Sequence, residues 1–420
     1  MNIKIVFVLL INILMASSVV GQNGTVPSNK KRLRVIITDK FSKQTRNPNK
    51  VVVTNSASSK PKPSPTPAVR SQAKKNASQQ PRLLRYSEIK LKIEEAKRRM
   101  RVKPLRTSLN DSTQTTSVVR IAFYDWKTQR IDYVVASKPN FLSRTYDVVA
   151  RTESGKIVRV RTIRGNGVNT PVMIFDLHNQ AQVPLVVQYP IERYGRFREM
   201  AYYVSTHPGI VTPETVSAGR IYVRNIINAA RQKLRQKGIF IQPKVADIAE
   251  RLVLVEHVDH GRFRTEYHPR IYNDVFMLYA LNQGQTYRYS VSRAGAGGMI
   301  QMIPATYRML RSRYYRVRLM PDFVSGMRNH TNAAQAMLLY MQMTWNDLVS
   351  NSTVLNALMT KIATQEELMA AGYNSNPSRL PRYIKRGGAG WKNLIPRETK
   401  IYLRIFSSVE RNVPMIRRSR

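Results

Sequence analysis

The residue in this sequence best suited to acid–base chemistry is Glu256, which lies in a strongly apolar stretch. Leu252 and Val253 precede it and Val258 follows it. The periodicity from 245 to 259 predicts a helix. A carboxyl group held against apolar neighbours has a raised pKa, so Glu256 would stay protonated near neutral pH and donate to a leaving oxygen. The same pattern also fits a glutamate on the polar edge of an amphipathic helix.

A glycine-rich stretch downstream is the second candidate for a functional site. Residues 292–307 read Ser-Arg-Ala-Gly-Ala-Gly-Gly-Met-Ile-Gln-Met-Ile-Pro-Ala-Thr-Tyr. Glycines at 295, 297 and 298 permit a tight turn and the close approach of a ligand to the backbone. The stretch has neither the Rossmann glycine spacing nor the lysine of a P-loop. Taken alone, it predicts a glycine turn that enters a helix.

Other kinds of catalytic site find little support in the composition. The chain has no cysteine, which excludes thiol catalysis, cysteine metal sites and a lipid-modified cysteine. His257, His260 and His268 do not form a clear ligand set, so we expect surface or hydrogen-bonded histidines and no metal. No nucleophile-elbow motif supports Ser-His-Asp catalysis. No cofactor is implied.

The glycine-rich stretch also carries a family resemblance. Residues 292–306 resemble the Ser-x-x-Gly-Ala-x-Gly-Leu-Met-Gln-x-x-Pro-x-Thr signature of the soluble (SLT-type), goose-lysozyme-like lytic transglycosylases. The positions in register with that signature are Ser292, Gly295, Ala296, Gly298, Met299, Ile300, Gln301, Pro304 and Thr306. The number of ordered matches makes a chance agreement improbable.

Three further stretches resemble the same family. Residues 330–341 look like its asparagine-led helix, although Ala336 stands where glycine is usual. Residues 369–379 are similar to an Ala-Tyr-Asn-Ala-Gly-Pro-x-x-Val block, sharing its tyrosine, asparagine and proline but differing at three other positions. Residues 395–402 match a closing Pro-x-Glu-Thr-x-x-Tyr block. The resemblance implies a mainly α, lysozyme-like domain. Most of the chain lies outside the stretches that resemble the family.

The resemblance implies cleavage of the β-1,4 bond between N-acetylmuramic acid and N-acetylglucosamine in peptidoglycan, with closure of a 1,6-anhydro ring. Glu256 would be the single acid and base, because the acetamido group of the substrate stabilises the cationic centre. Tyr373 would hydrogen-bond near Glu256 or that acetamido group, and Asn374 would hold its helix against the site. Helix packing is the alternative for both residues. The substrate-binding positions implied are Ser292, Gly295, Ala296, Gly298, Met299, Gln301, Tyr373 and Asn374.

One departure from the family leaves an alternative open. The usual spacing places the glutamate about a dozen positions before the Gly-Ala pair, where this chain has Gln283. A glutamine there would make the protein an inactive lysozyme-like protein that binds peptidoglycan or acts as a scaffold. We prefer Glu256 with an insertion at 262–289, because the apolar helix ends at Glu256. The insertion carries tyrosines predicted to stack on sugar faces, at 267, 272, 279, 287 and 289.

The charge of the chain predicts an anionic partner. Lys and Arg number 69 against 25 Asp and Glu, a formal net charge of +44. No zinc-finger, basic-zipper or RNA-binding signature accompanies this charge, so nucleic acid is not the expected partner. The expected partners are peptidoglycan strands and anionic envelope polymers. The anionic polymers would bind through the basic N-terminal segment. An exported basic protein that binds nucleic acid or lipopolysaccharide is the third hypothesis.

The order of composition changes predicts an α+β multidomain protein. Residues 1–21 read as a signal peptide, with a membrane anchor as the alternative, and no later transmembrane segment is expected. Residues 22–117 read as a basic, mostly disordered linker with a short helix at 86–100 capped by Ser87. Residues 118–205 predict a small antiparallel sheet or barrel, 206–410 the helical domain, and 411–420 a basic tail. Export to the periplasm or cell envelope is expected.

Overall fold

The computed structural model describes residues 83–103, 105 and 116–419. The expected signal peptide and most of the expected linker lie outside these residues. The described residues belong to one compact unit, Asn76–Arg420, so the β-rich and helical stretches lie in the same unit. Its architecture is mixed α+β, with small antiparallel sheets followed in the chain by a larger set of helices.

The β-rich stretch forms two antiparallel sheets. Its strands are β1 (Val118–Asp125), β2 (Arg130–Ser137), β3 (Asp147–Arg151), β4 (Ile157–Thr162), β5 (Val172–Phe175), β6 (Val183–Arg193) and β7 (Arg196–Tyr203). The first sheet has the order β2-β1-β6-β7 and the second β3-β4-β5. The hairpin predicted around Gly155 is β3–β4, with Val148 opposite Val160. The strand β7 was missing from the sequence prediction, because charged residues interrupt its apolar pattern.

The segment before the sheets contains the helix that the sequence predicted at 86–100. Helix α1 (Tyr86–Val102) packs against β6, and Ile89 and Ile93 on its inner face are buried. The N-cap residue is Arg85 and not the predicted Ser87. Apolar residues recur on one face of this helix, and their burial against the sheet stabilises it.

The C-terminal part of the chain is helical. A short helix, α2 (Lys138–Phe141), lies among the strands, and the others are α3 (Pro213–Gln236), α4 (Pro243–Val255), α5 (His260–Thr265), α6 (His268–Asn282), α7 (Pro304–Arg313), α8 (Phe323–Arg328), α9 (His330–Val349), α10 (Ser352–Met359), α11 (Gln365–Asn374), α12 (Leu380–Gly387) and α13 (Arg397–Asn412). Helices α3, α4 and α11 all pack against α9, which is buried on most sides. No helix among the described residues is both long enough and apolar enough to cross a membrane.

Three of the five tyrosines in the stretch 262–289, which was predicted as a sugar-contacting insertion, are buried. Helix α6 packs along α3, and Tyr272 and Tyr279 within it are buried. Tyr287, after the helix, is buried as well. The rings of Tyr272 and Tyr279 therefore have no free face for a sugar, whereas Tyr267 is exposed and Tyr287 and Tyr289 line a cavity. The apolar residues that surround Tyr272 and Tyr279 in the sequence explain their burial, since they give α6 an apolar surface on nearly every side.

The C-terminal residues are attached to the helical part. Helix α13 extends to Asn412, so it includes the first residues of the stretch expected to be a basic tail. The Arg418 side chain forms ion pairs with Asp247 and Glu250 of α4, at 2.7 and 2.6 Å. The chain after α13 therefore packs against the helix that carries Glu256 at its C-terminal end.

Candidate functional site

A cavity of about 790 Å³ lies where the β-rich stretch meets α4, α5 and α6. The β-rich side contributes Lys138, Arg144, Arg164, Gly165, Asn166, Gly167, Val168, Asn169, Tyr189, Ile191, Glu192 and Tyr203. The helical side contributes Glu256, His257, Val258, Asp259, Arg262, Asp274, Val275, Leu278, Tyr287, Tyr289, Ser290 and Val291. Its volume falls in the range of cavities that bind small ligands. The two sides are joined by Glu199 of β7, which forms ion pairs with Arg288 and Arg328.

Glu256 is the C-cap residue of α4, and its side chain lines this cavity. The helix ends here and not at 259, and the Glu256 backbone N–H donates to the carbonyl of Leu252. The pKa of Glu256 is raised to about 8, mainly by burial; a hydrogen bond from Tyr402 lowers it, and the negative charge of Glu398 raises it. The apolar residues around Glu256 therefore have the predicted effect, and its carboxyl group is mainly protonated at neutral pH.

Tyr402 of α13 contacts Glu256 directly. Its hydroxyl donates to Oε1 of Glu256 at 2.6 Å, across a sequence separation of 146 residues. Burial first, and then the charge of Glu256, raise the pKa of Tyr402 well above its ordinary value, so the hydroxyl remains a donor. No role was predicted for this residue from the sequence. The sequence feature that could have indicated a role is the position of Tyr402 as the last residue of the 395–402 block that resembles the family.

Two hydrogen bonds hold the glycine-rich stretch beside Glu256. His257 donates from Nε2 to the carbonyl of Met299 at 3.0 Å, and Tyr373 donates to the carbonyl of Ile300 at 2.7 Å. Both carbonyls belong to a single 3₁₀ turn, Gly298–Ile300, where the sequence predicted the start of a helix. Helix α7 begins only at Pro304. The structure thus brings Tyr373, the turn and Glu256 together.

The side chains of the glycine-rich stretch are used mainly within the protein. Ser292 is exposed and its Oγ accepts from the Ala296 backbone at 3.1 Å. Gln301, in the left-handed region at φ 47°, donates to the Gly298 carbonyl at 2.8 Å. A β-carbon at Gly298 would lie 2.8 Å from the carbonyl oxygen of Met327, so this glycine allows α8 to pack closely. The residues that match substrate-binding positions of the family therefore stabilise the turn and its packing in this protein.

None of the eight implied substrate-binding residues lines the cavity. The Met299 side chain is fully buried, so it cannot contact a ligand. The turn that carries it packs against α9, and this packing excludes solvent from the thioether. The Asn374 Oδ1 accepts from Thr399 at 2.9 Å and joins α11 to α13, which is the helix-holding role implied for it. Gly295 and Ala296 shape the turn and are likewise not part of the cavity wall.

Gln283, the alternative position for the family's glutamate, lies outside the cavity. It follows the last residue of α6, is exposed, and its Nε2 donates to the hydroxyl of Tyr86 at 3.5 Å. Glu256 therefore occupies the cavity and Gln283 does not. The geometry favours Glu256 as the acid of this site.

The histidines near the site have partners in the protein. Burial lowers the pKa of His257 to about 3, so the ring is neutral, and it stacks on Tyr287 with centroids 3.4 Å apart. His268 lies between the hydroxyl of Ser408 and the carbonyl of Phe263. Both are hydrogen-bonded, as predicted. Across residues 83–103, 105 and 116–419, no group of three His, Asp or Glu side chains has the arrangement of a metal site.

Replacing Tyr402 with phenylalanine tests the hydrogen bond to Glu256. The hydroxyl stabilises the carboxylate, so Tyr402→Phe should raise the pKa of Glu256 above about 8, by roughly one unit or more. The measurement is an NMR titration of carboxyl ¹³C resonances, assigned through Glu256→Gln. Tyr267→Phe, at an exposed position, is the matched control and should leave the titration unchanged. An unchanged Glu256 pKa in Tyr402→Phe would contradict the contact.

The site combines one carboxyl group protonated at neutral pH, a hydroxyl donor bound to it and a cavity open to a ligand. These features suit general acid catalysis on a bound substrate. Comparison with family models, with curated proteins and with solved structures gave no match to the chain.

Proposed function

We propose that the protein is a lytic transglycosylase that cleaves peptidoglycan between N-acetylmuramic acid and N-acetylglucosamine and forms 1,6-anhydro ends. The observation that carries this proposal is Glu256, with its pKa raised to about 8 in a ligand-sized cavity. The four sequence blocks that resemble this family support it, and Glu256, Tyr373 and Tyr402 meet at one place in the fold. In this proposal the helical part is a lysozyme-like domain, and the protein is exported to the cell envelope.

The chemistry requires one proton donor and its conjugate base. Glu256 protonates the glycosidic oxygen as the bond from muramic C1 to that oxygen breaks, and the substrate acetamido group stabilises the cationic centre. The carboxylate then takes the proton of the muramic 6-hydroxyl, whose oxygen bonds to C1 and closes the anhydro ring. Tyr402 donates to the carboxylate between these two steps. Glu256 ends the cycle protonated.

The other acids of the cavity support a mechanism with a single carboxyl group. Asp274 is paired with Arg262 at 2.7 Å, and Glu192 with Lys138 at 2.9 Å. Asp259 caps α5 by accepting from the Arg262 backbone at 2.8 Å. Each of these carboxylates thus accepts a hydrogen bond from a donor within the protein, although burial raises the pKa of Asp274 above its ordinary value.

Mass spectrometry of the products released from purified sacculi tests the proposal. Anhydro-muropeptides would support it, whereas reducing ends would indicate hydrolysis by water. If the protein sediments with sacculi but releases nothing, the alternative of an inactive wall-binding protein is correct. Glycan chains made only of N-acetylglucosamine serve as the control, because they lack the muramic residue at which the anhydro ring forms.

Retention on sacculi should fall steeply with ionic strength. The formal net charge of +44 attracts the protein to anionic wall polymers, and salt screens this attraction, with a Debye length of about 10 Å at 0.1 M and about 3 Å at 1 M. We expect the bound fraction at 0.5 M NaCl to be roughly tenfold lower than at 0.05 M. The measurement is co-sedimentation across a salt series, with chitin as an uncharged control. Salt-independent retention would contradict this expectation.

A further inference from the structure

The charged residues that line the cavity are not fully paired. The basic residues are Lys138, Arg144, Arg164 and Arg262, and the acidic residues are Glu192, Glu256, Asp259 and Asp274. Lys138 is paired with Glu192, and Arg262 with Glu266 and Asp274. Within the described part of the chain, this leaves Arg144 and Arg164 as the two cavity cations without a bonded partner.

Both unpaired arginines come from the β-rich side of the cavity. Arg144 lies between α2 and β3, and Arg164 between β4 and β5. Neither forms a hydrogen bond or ion pair with any described residue. The carboxylates nearest to Arg164, including Asp274 and Glu266, are already hydrogen-bonded to Arg262. The Arg164 guanidinium is partly buried without a bonded partner, which is unfavourable, and an anionic ligand would relieve this; the Arg144 side chain is exposed and accessible to the same ligand.

Asn169 adds an acceptor to the same wall. It ends the short turn Gly167–Asn169 in the loop that also carries Arg164. Its Oδ1 is buried and has no hydrogen-bond partner in the described part of the protein. The loop is braced by the Asn166 backbone N–H, which donates to Thr170 at 2.8 Å. A ligand N–H or O–H that reached this wall would satisfy the unpaired acceptor.

We infer that this wall is a subsite for the peptide stem carried by the glycan: Arg144 and Arg164 bind a stem carboxylate, and Asn169 accepts from a neighbouring amide N–H. A guanidinium fork matches a carboxylate with two parallel hydrogen bonds. A phosphodiester wall polymer offers acceptors for the arginines but no amide donor for Asn169. A muramic residue without its peptide offers its lactyl carboxylate and its own acetamido N–H instead, and the comparison of strands with and without stems distinguishes these two ligands. The inference rests on the proposed function, because it assumes that the glycan occupies the cavity beside Glu256.

Binding measurements in a Glu256→Gln background test the subsite without cleavage of the ligand. The probes are fluorescently labelled glycan strands with intact stems, the same strands after amidase removal of the peptide, and neutral chitopentaose. The test variant is Arg144→Gln combined with Arg164→Gln. The matched control is Arg130→Gln, which removes an exposed arginine of β2 that does not line the cavity. Thermal unfolding verifies that each variant is folded, and Arg144→Gln alone serves if the double variant is not.

The double variant should bind stem-bearing strands at least about tenfold more weakly than the Glu256→Gln protein. Its affinity for chitopentaose should be unchanged. The Arg130→Gln control should bind all three probes as the Glu256→Gln protein does. Equal loss for peptide-free strands would assign the arginines to the lactyl carboxylate and overturn the stem assignment. No selective loss for either acidic probe would overturn the subsite. Selective stem binding by a protein that releases no anhydro products would contradict the proposed function while supporting the subsite. The two failures are therefore distinguishable.

Discussion

Glu256→Gln is expected to abolish the release of anhydro-muropeptides from purified sacculi. The amide cannot protonate the glycosidic oxygen, and removal of a general acid typically slows a reaction by about 10²–10⁴-fold. The rate of release, followed by mass spectrometry, should therefore fall by at least roughly a hundredfold. Binding to sacculi should persist, since the basic surface is unchanged. Anhydro products formed by Glu256→Gln at the wild-type rate would assign the acid to another residue.

Stability measurements separate loss of the acid from loss of the fold. Burial raises the folded-state pKa of Glu256 from 4.5 to about 8, so its contribution to stability is complete below pH 4.5 and is lost as pH rises to about 8. The glutamine side chain of the variant does not titrate. The variant should therefore gain stability relative to wild type across this window, by a few kcal/mol at most. Thermal unfolding at pH 5 and pH 8 measures this difference, and a gain that does not grow with pH would contradict the raised pKa.

A second glutamate provides a matched control for the same substitution. Burial also raises the pKa of Glu410, but this residue lies in α13 and does not line the cavity. Glu410→Gln makes the same change of carboxyl to amide. It should retain release activity within about twofold, as expected for a substitution away from functional contacts. A large loss in this variant would show that the rate is sensitive to substitutions outside the site.

Local sequence patterns predicted the helix that ends at Glu256 and most of the elements around it, whereas the choice of Glu256 as the acid also needed the family resemblance. The apolar residues before Glu256 predict both α4 and a desolvated carboxyl group, because both follow from neighbours within one or two helical turns. The hairpin β3–β4 follows equally from alternation and a glycine turn. Each of these features depends on interactions between residues close in the sequence.

The features that were not predicted depend on contacts between distant segments. Tyr402 reaches Glu256 only because α13 packs against α4, and nothing local in either segment specifies that contact. Helix α1 was predicted from its local pattern, but its packing against β6 was not, because that strand lies far along the chain. Met299 matches a binding motif, yet the packing of its turn against α9 buries the side chain. Arg164 becomes notable only when its loop is placed on the cavity wall.

Gly219→Ala is expected to be the most destabilising of the simple substitutions in the helical part. A β-carbon at this position would lie 1.9 Å from the carbonyl oxygen of Phe276, a backbone atom of α6 that cannot rotate away. Helices α3 and α6 would have to separate, which in a packed core costs about 3 kcal/mol or more. Because α6 carries Asp274 and Leu278 of the cavity wall, the substrate affinity should fall as well. Urea denaturation measures the change in the free energy of unfolding.

The sign of this effect distinguishes close helix packing from helix propensity. Alanine favours a helix over glycine by up to about 1 kcal/mol, so without the contact Gly219→Ala would stabilise α3. Gly284→Ala is the matched control, because a β-carbon there meets no atom within 4 Å and the residue is exposed. Its effect should stay within about 0.5 kcal/mol. A neutral or stabilising Gly219→Ala would mean that α3 and α6 are farther apart than described, and the position of the cavity wall that α6 supports would have to be revised with them.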